Sequence, residues 1–158
     1  LFIAGDVKAA REVYQQIVDH YRASAIGHLG LGNCNGSLAL AARAAGNPAE
    51  FEAKWREALD QFDQALALDP TLLAAKSGKA QALASLLRFA EAQPLAEECF
   101  AAQPQNFDYA TSLASIFFEQ GRTTFASRTL ETFLAAAPNH PQRPLVADML
   151  AQLKLQWQ

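Results

Sequence analysis

Three prolines constrain this chain more than any other feature: Pro70, Pro104 and Pro138 follow one another at intervals of 34 residues. Working back from each, one register recurs. Ala58, Phe62 and Ala65 precede Pro70, Ala92, Ala96 and Cys99 precede Pro104, and Ala126, Leu130 and Phe133 precede Pro138, with steps of 4, 3 and 5 in every copy. Steps of four and three place residues on one face of a helix. The small residue lets a second helix approach, the larger apolar one a turn later fills the groove beside it, and proline stops the helix. A fourth copy, Ala10, Tyr14 and Ile17, has Arg22 where proline would fall. Composition agrees: hydrophobic residues make up 51% and charged residues 18%, with Ala commonest and Leu next, which rules out a disordered chain and favours helix.

The 34-residue register resembles the tetratricopeptide repeat, a helix–turn–helix unit. The proline-terminated second half of the motif matches well in three units. In the first half, the family's W-x-x-L-G-x-x-Y reads His28, Leu31, Gly32, Asn35 in one unit, Lys76, Lys79, Ala80, Leu83 in the next, and Ala110, Leu113, Ala114, Phe117 in the last. The resemblance covers about residues 1–140. It implies an all-α, right-handed α-solenoid of repeat units over 1–158, with a shortened unit at 1–22, an elongated one at 23–70, regular units at 71–104 and 105–138, and a capping helix at 139–158.

The register predicts helices near 7–21, 72–86, 89–102, 106–119, 122–136 and 142–156, with a stripe of Leu145, Met149 and Leu153 on the last. The elongated unit should begin near Ala25 and turn at Gly46-Asn47-Pro48, seven residues later than a regular repeat. Fourteen extra residues split seven and seven add about 10 Å to each helix of the pair. Seven residues nearly preserve the face of a helix, so Leu38, Ala41 and Ala45 should oppose Phe51, Trp55 and Leu59. Either this long hairpin packs only on itself, or Phe51 and Trp55 form an assembly surface and the chain is a homo-oligomer. Gly27, Gly30, Gly32 and Gly36 lie in the same stretch. They do not make G-x-G-x-x-G, and no strand precedes them, so close helix packing explains them better than a phosphate loop.

The sequence opens Leu1-Phe2-Ile3-Ala4-Gly5, without an initiator Met, a basic n-region or a cleavage pattern. This reads as a piece of a longer polypeptide whose first repeat lacks most of its first helix. Residues 1–4 are then expected to be mobile or to pair with another molecule, and the tail through Trp157 could dock onto a neighbouring domain. The compartment, cytoplasmic or periplasmic, is left open. Cys34 and Cys99 read as small buried residues, with a bridge or a reactive thiol as alternatives.

Little in the chain points to chemistry. His20, His28 and His140 are scattered and lack partners at metal-ligand spacing, so neither a metal nor a cofactor is expected, and no nucleophile motif occurs. The acidic positions Glu50, Glu52, Glu57, Asp60 and Asp63, interleaved with Lys54 and Arg56, read as a solvated helix face. A net charge of −3 argues against nucleic acid, and no apolar run is long enough to cross a bilayer. The expectation is a non-enzymatic chain with a protein or peptide partner.

The resemblance also implies where that partner would lie, along a concave groove lined by the first helix of each unit. Carried over position by position, the groove draws on Asn33, Ser77, Gln81, Ser85, Thr111, Ser115, Phe118 and Glu119, with Ile26, Leu29, Ala74 and Asp108 beside them. Tyr109 and Phe118 would be apolar anchors. Of the residues with which chaperone-associated members clamp a terminal carboxylate, only Asn33 matches. Ser77, Gly78, Thr111 and Ser112 stand at the others, so acidic chaperone tails should not bind. Two functions follow from the resemblance: a scaffold that binds a helix or extended segment in the groove, or an assembly or regulatory domain of a larger enzyme or secretion machine, self-associating through the long hairpin.

Overall fold

The computed structural model describes residues 6–155, and these contain eight helices and no strand. The expectations for residues 1–4 and for the tail through Trp157 lie outside the described residues. Two compact units divide the chain between Arg88 and Phe89. The first holds α1 (Asp6–His20), α2 (Ala25–Ala44), α3 (Pro48–Leu68) and α4 (Leu73–Ser85). The second holds α5 (Phe89–Ala102), α6 (Phe107–Glu119), α7 (Thr123–Ala136) and α8 (Arg143–Leu155).

The nine residues of the proline register in α3, α5 and α7 are all buried, none more than 3% exposed. Each proline stands two residues beyond the last helical residue, where its missing N–H breaks no helical hydrogen bond. The fourth copy differs. Ala10, Tyr14 and Ile17 are half-buried: α1 packs against α2, and toward α3 it offers the Arg11 guanidinium, 3.9 Å from the Glu57 carboxylate.

In the first unit α2 packs along α3, and α4 packs on both. Ser24 caps α2 by accepting from the Gly27 N–H, and Asn47 caps α3 by accepting from Glu50 N–H, with Pro48 in the first turn. α2 and α3 are 20 and 21 residues long. The corresponding helices elsewhere are 13 and 14, so the extra length is divided seven and seven, as the turn position predicts.

The seam of that hairpin differs from the expected one. Ala39 and Ala42 are buried on α2, while Ala41 and Ala45 are exposed and Leu38 is half-buried. From Asn35 the buried line steps four residues to Ala39 and three to Ala42, which moves the seam round by one position. The glycines explain how closely the helices approach. A Cβ on Gly30 would lie 2.3 Å from the Tyr14 ring, on Gly32 2.5 Å from Phe62, and on Gly78 of α4 2.4 Å from Phe62. Phe62 is thus boxed between a glycine on α2 and another on α4.

In the second unit α6 packs on α5 and α7, and α8 on α7. Arg122, in the α6–α7 turn, lays its guanidinium over Phe117 and Phe125, 4.8 and 4.3 Å from their centroids, and donates to the Gln93 amide oxygen at 3.0 Å. On α8 the buried residue is Val146, fully enclosed, whereas Leu145 is 47% exposed. The stripe that meets α7 therefore begins at Val146, one residue later than expected, and continues through the half-buried Met149 and Leu153.

α2, α4 and α6 end alike. The residue at the turn takes a left-handed conformation, and it and its successor donate N–H groups back to the last helical turn: Gly46 to Arg43 and Asn47 to Ala42, Leu87 to Ala84 and Arg88 to Leu83, Gly121 to Phe118 and Arg122 to Phe117.

Candidate protein-interaction faces

In the first unit the helices bearing the expected groove residues, α2 and α4, pack side by side. Asn33 is exposed on α2 in line with Ile26 and Leu40, at helical steps of seven, and Leu29 and Ser37 between them are half-buried. Asn33 has its side chain in solvent, while its carbonyl accepts from the Ser37 hydroxyl at 3.1 Å. Gln81 is exposed on α4, and Ser77 and Ser85, four residues to either side, are half-buried. His28, where the family carries Trp, is half-buried and shares a hydrogen bond of 2.9 Å with the Gln61 amide of α3, which ties the hairpin together.

In the second unit α6 buries Ala110, Leu113, Ala114, Ile116 and Phe117 and turns a line of Asp108, Thr111, Ser115 and Phe118 outward, with Glu119 beside it. The Thr111 hydroxyl donates to the Phe107 carbonyl of its own helix at 2.9 Å, so the methyl is its free part. Phe118 is 41% exposed. Tyr109 lies off this line and is half-buried. Burial pushes its phenol pKa up, and the negative charges that Cys99 and Asp108 can carry push it further, so its hydroxyl stays protonated and can donate.

The assembly surface expected at Phe51 and Trp55 needs correction. Trp55 is 2% exposed, with its ring against Gly36 and edge-on to Phe51 at 6.3 Å. It is part of the hairpin core, because the missing Cβ of Gly36 leaves an indole-sized recess. Phe51 is half-buried. The hairpin instead exposes Leu40 toward its tip, at 49%, and Ile26 and Leu68 at its other end.

Charged groups on α3 pair locally. Lys54 meets Glu57 and Arg56 meets Glu52, each at 2.6 Å, and Lys79 of α4 reaches Asp63 at 2.6 Å. Such exposed pairs contribute little, about 0–1 kcal/mol each. Cys34 and Cys99 are buried free thiols, and burial pushes the Cys34 thiol pKa above its usual value despite the nearby Arg11. Among the described residues no group of His, Cys, Asp and Glu side chains could hold a metal ion, and no helix is long and apolar enough to cross a membrane.

One concave feature escaped sequence reasoning. An open cleft of about 460 Å³ lies at the start of α6, lined by Gln103, Gln105, Asn106, Phe107, Asp108 and His140. Its residues come from the α5–α6 turn, the first residues of α6 and the α7–α8 turn, 30 and more positions on. Only Asp108, already placed on the outward line of α6, pointed toward it.

Residues 77–144 match the family model described as tetratricopeptide repeat. Among solved structures, a thermophilic TPR protein from Thermus thermophilus aligns over 96% of this chain and 75% of its own, with a TM-score of 0.80 and 19% identity. MamA aligns over 96% and 80%, with a TM-score of 0.68 and 15% identity. YrrB, described as a TPR protein with an unusual peptide-binding site, aligns over 89% and 66%, with a TM-score of 0.66 and 18% identity. No curated protein matches the sequence.

Proposed function

We propose that this chain, whose residues 77–144 match the tetratricopeptide repeat and whose fold is that of TPR proteins, is a protein–protein interaction scaffold that binds a helical or extended segment of a partner along the outward line of a first helix. The observation that carries this reading is the line of Asp108, Thr111, Ser115 and Phe118 on α6. It combines short polar side chains with one exposed aromatic ring. Asn33 on α2 and Gln81 on α4 offer the same means in the first unit: exposed amides able to pair with the backbone groups of a guest, which must find partners once covered. The peptide-binding site named for YrrB supports the reading by likeness of fold. Ser77 and Ser85 would flank a guest on the first unit, and Thr111, Tyr109 and Glu119 a guest on the second.

The experiment is site-specific photo-crosslinking with probes at Gln81 and Ser115, followed by affinity measurements on the captured partner. Gln81→Arg and Ser115→Arg should weaken binding at least tenfold while the circular dichroism spectrum is unchanged. Affinity unaltered in both variants overturns the proposal.

A second reading, an assembly domain that pairs through the long hairpin, draws on Leu40, which is exposed near its tip. It expects a concentration-dependent dimer in sedimentation that Leu40→Asp converts to a folded monomer. A wild type that is monomeric at high concentration removes it.

A further inference from the structure

We infer that the cleft at the start of α6 is a specificity pocket for an arginine side chain on the bound partner, an inference that rests on α6 being a partner-binding face. One wall is aromatic. The His140 ring stacks on Phe107 with centroids 6.0 Å apart and planes 14° from parallel, and Phe133 braces both rings edge-on, 6.2 Å from Phe107 and 5.2 Å from His140. The cleft-lining rings are therefore held in place before any ligand arrives. The His140 Nδ1 accepts the Gln142 N–H at 3.1 Å, which leaves Nε2 to carry the ring proton.

The polar lining holds one carboxylate, that of Asp108, and the side-chain amides of Gln103, Gln105 and Asn106, whose oxygens can accept. The side-chain bond from Asn106 Nδ2 to Gln103 Oε1 is long at 3.4 Å. Two of the backbone donors that would draw an anion to the start of a helix are already engaged. Asn106 Oδ1 accepts from the N–H groups of both Asp108 and Tyr109, at 3.0 and 3.2 Å. The nearest cationic side chain in sequence, Arg143, is turned toward α7, where it donates to the Leu134 carbonyl. The cleft thus combines two aromatic rings held by their neighbours, one carboxylate and neutral side-chain amides. That combination suits a flat cation with several N–H donors, which is the guanidinium, better than a compact ammonium or an anion. Asp108 belongs both to the cleft and to the outward line of α6, so a segment lying along α6 can drop one side chain into the pocket.

The test is an NMR titration of the full chain with three tripeptides, acetyl-Ala-Arg-Ala-amide and its Lys and citrulline counterparts. The Arg peptide should shift the side-chain amides of Gln103 and Gln105 and the ring of His140 saturably. The citrulline peptide, which has the same shape without the charge, should bind at least tenfold more weakly, and the Lys peptide more weakly than the Arg peptide. Asp108→Asn should reduce Arg binding by a similar factor while signals elsewhere stay in place, and Phe107→Leu should reduce it with the carboxylate intact. No saturable shift, equal binding of Arg and citrulline peptides, or full binding by Asp108→Asn overturns the inference. If the Arg peptide fails while Ser115→Arg still weakens the captured partner, the pocket falls and the α6 face stands. If the Arg peptide binds while neither arginine substitution affects the partner, the pocket stands and the face falls.

Discussion

The α2–α3 hairpin and the α6–α7 hairpin solve one packing problem in opposite ways. In the first, the helix that approaches the register helix gives up side chains. Gly32 on α2 and Gly78 on α4 make way for Phe62, and Gly36 makes way for Trp55. In the second, α6 keeps its side chains, burying Ala114 at the position of Gly32 and Phe117 at the position of Asn35, and the turn is locked by Arg122 on two phenyl rings. Close approach through glycine brings the backbones together but lowers helix propensity by about 1 kcal/mol per residue. The long hairpin offsets this with two extra turns of buried Ala39, Ala42 and Trp55. Length and glycine content are thus linked features of one unit.

The largest expected effect tests that linkage. Gly32→Ala improves helix propensity, yet its Cβ would stand 2.5 Å from a Phe62 ring boxed on its far side by Gly78. We expect a net loss of about 1–3 kcal/mol in urea unfolding. In a Phe62→Leu background the same change should cost markedly less, because the smaller side chain can yield. A Gly32→Ala protein as stable as wild type would mean that the ring relaxes freely and that the glycines have another cause.

Next comes the lock of the other hairpin. Arg122→Ala removes two cation–π contacts and the bond to Gln93, and should destabilise by about 1–2 kcal/mol. Arg122→Lys should recover less than half, since an ammonium cannot stack on both rings. Full recovery by Lys would reduce the contact to simple charge.

These two expectations also mark what could be read from the sequence. The proline register placed the helices and named nine buried residues, because period and burial share one cause: a face that must meet its neighbour. The seven-and-seven extension was legible from the position of Gly46-Asn47-Pro48 alone. The phase of the seam was not. On a helix the buried line can step by three or four, and choosing four at Asn35 moved the contact from Ala41 to Ala42 and left Trp55 without a solvent face. The outward positions of Asn33, Gln81, Ser115 and Phe118 could be carried over from the repeat, since a stripe opposite a buried face is outward by necessity. The cleft at α6 was illegible, because Gln103 and His140 meet only through the turns that bring them together, and no spacing encodes that meeting.

Asn35 sharpens the comparison further. It stands where Leu83 and Phe117 stand in the other units. It is 3% exposed, and its Oδ1 finds no hydrogen-bond partner. An unpaired buried acceptor costs about 1–3 kcal/mol, so Asn35→Leu should stabilise by about 1 kcal/mol once imperfect packing is allowed for. A loss of stability instead would show that Asn35 fixes the register of the long hairpin through its polarity.

The smallest effect concerns the turns. Gly46, Leu87 and Gly121 close three helices with the same pair of backbone hydrogen bonds and nearly the same positive φ, 71°, 60° and 71°. At Gly46 and Gly121 a Cβ would meet nothing, so glycine is present there for its backbone freedom and not for space. Leu87 adopts the conformation with a side chain, at about 1–2 kcal/mol for a left-handed residue, and its side chain is 75% exposed, so burial returns little of that. Glycine at this position relieves the strain but adds freedom to the unfolded chain. The net expectation for Leu87→Gly is a gain of about 0.5 kcal/mol, read as a small rise in the urea midpoint without a change in slope. A fall in the midpoint would show that Leu87 is covered by another molecule or earns its place through the exposed leucine itself, which would add α4's end to the surfaces worth probing for a partner.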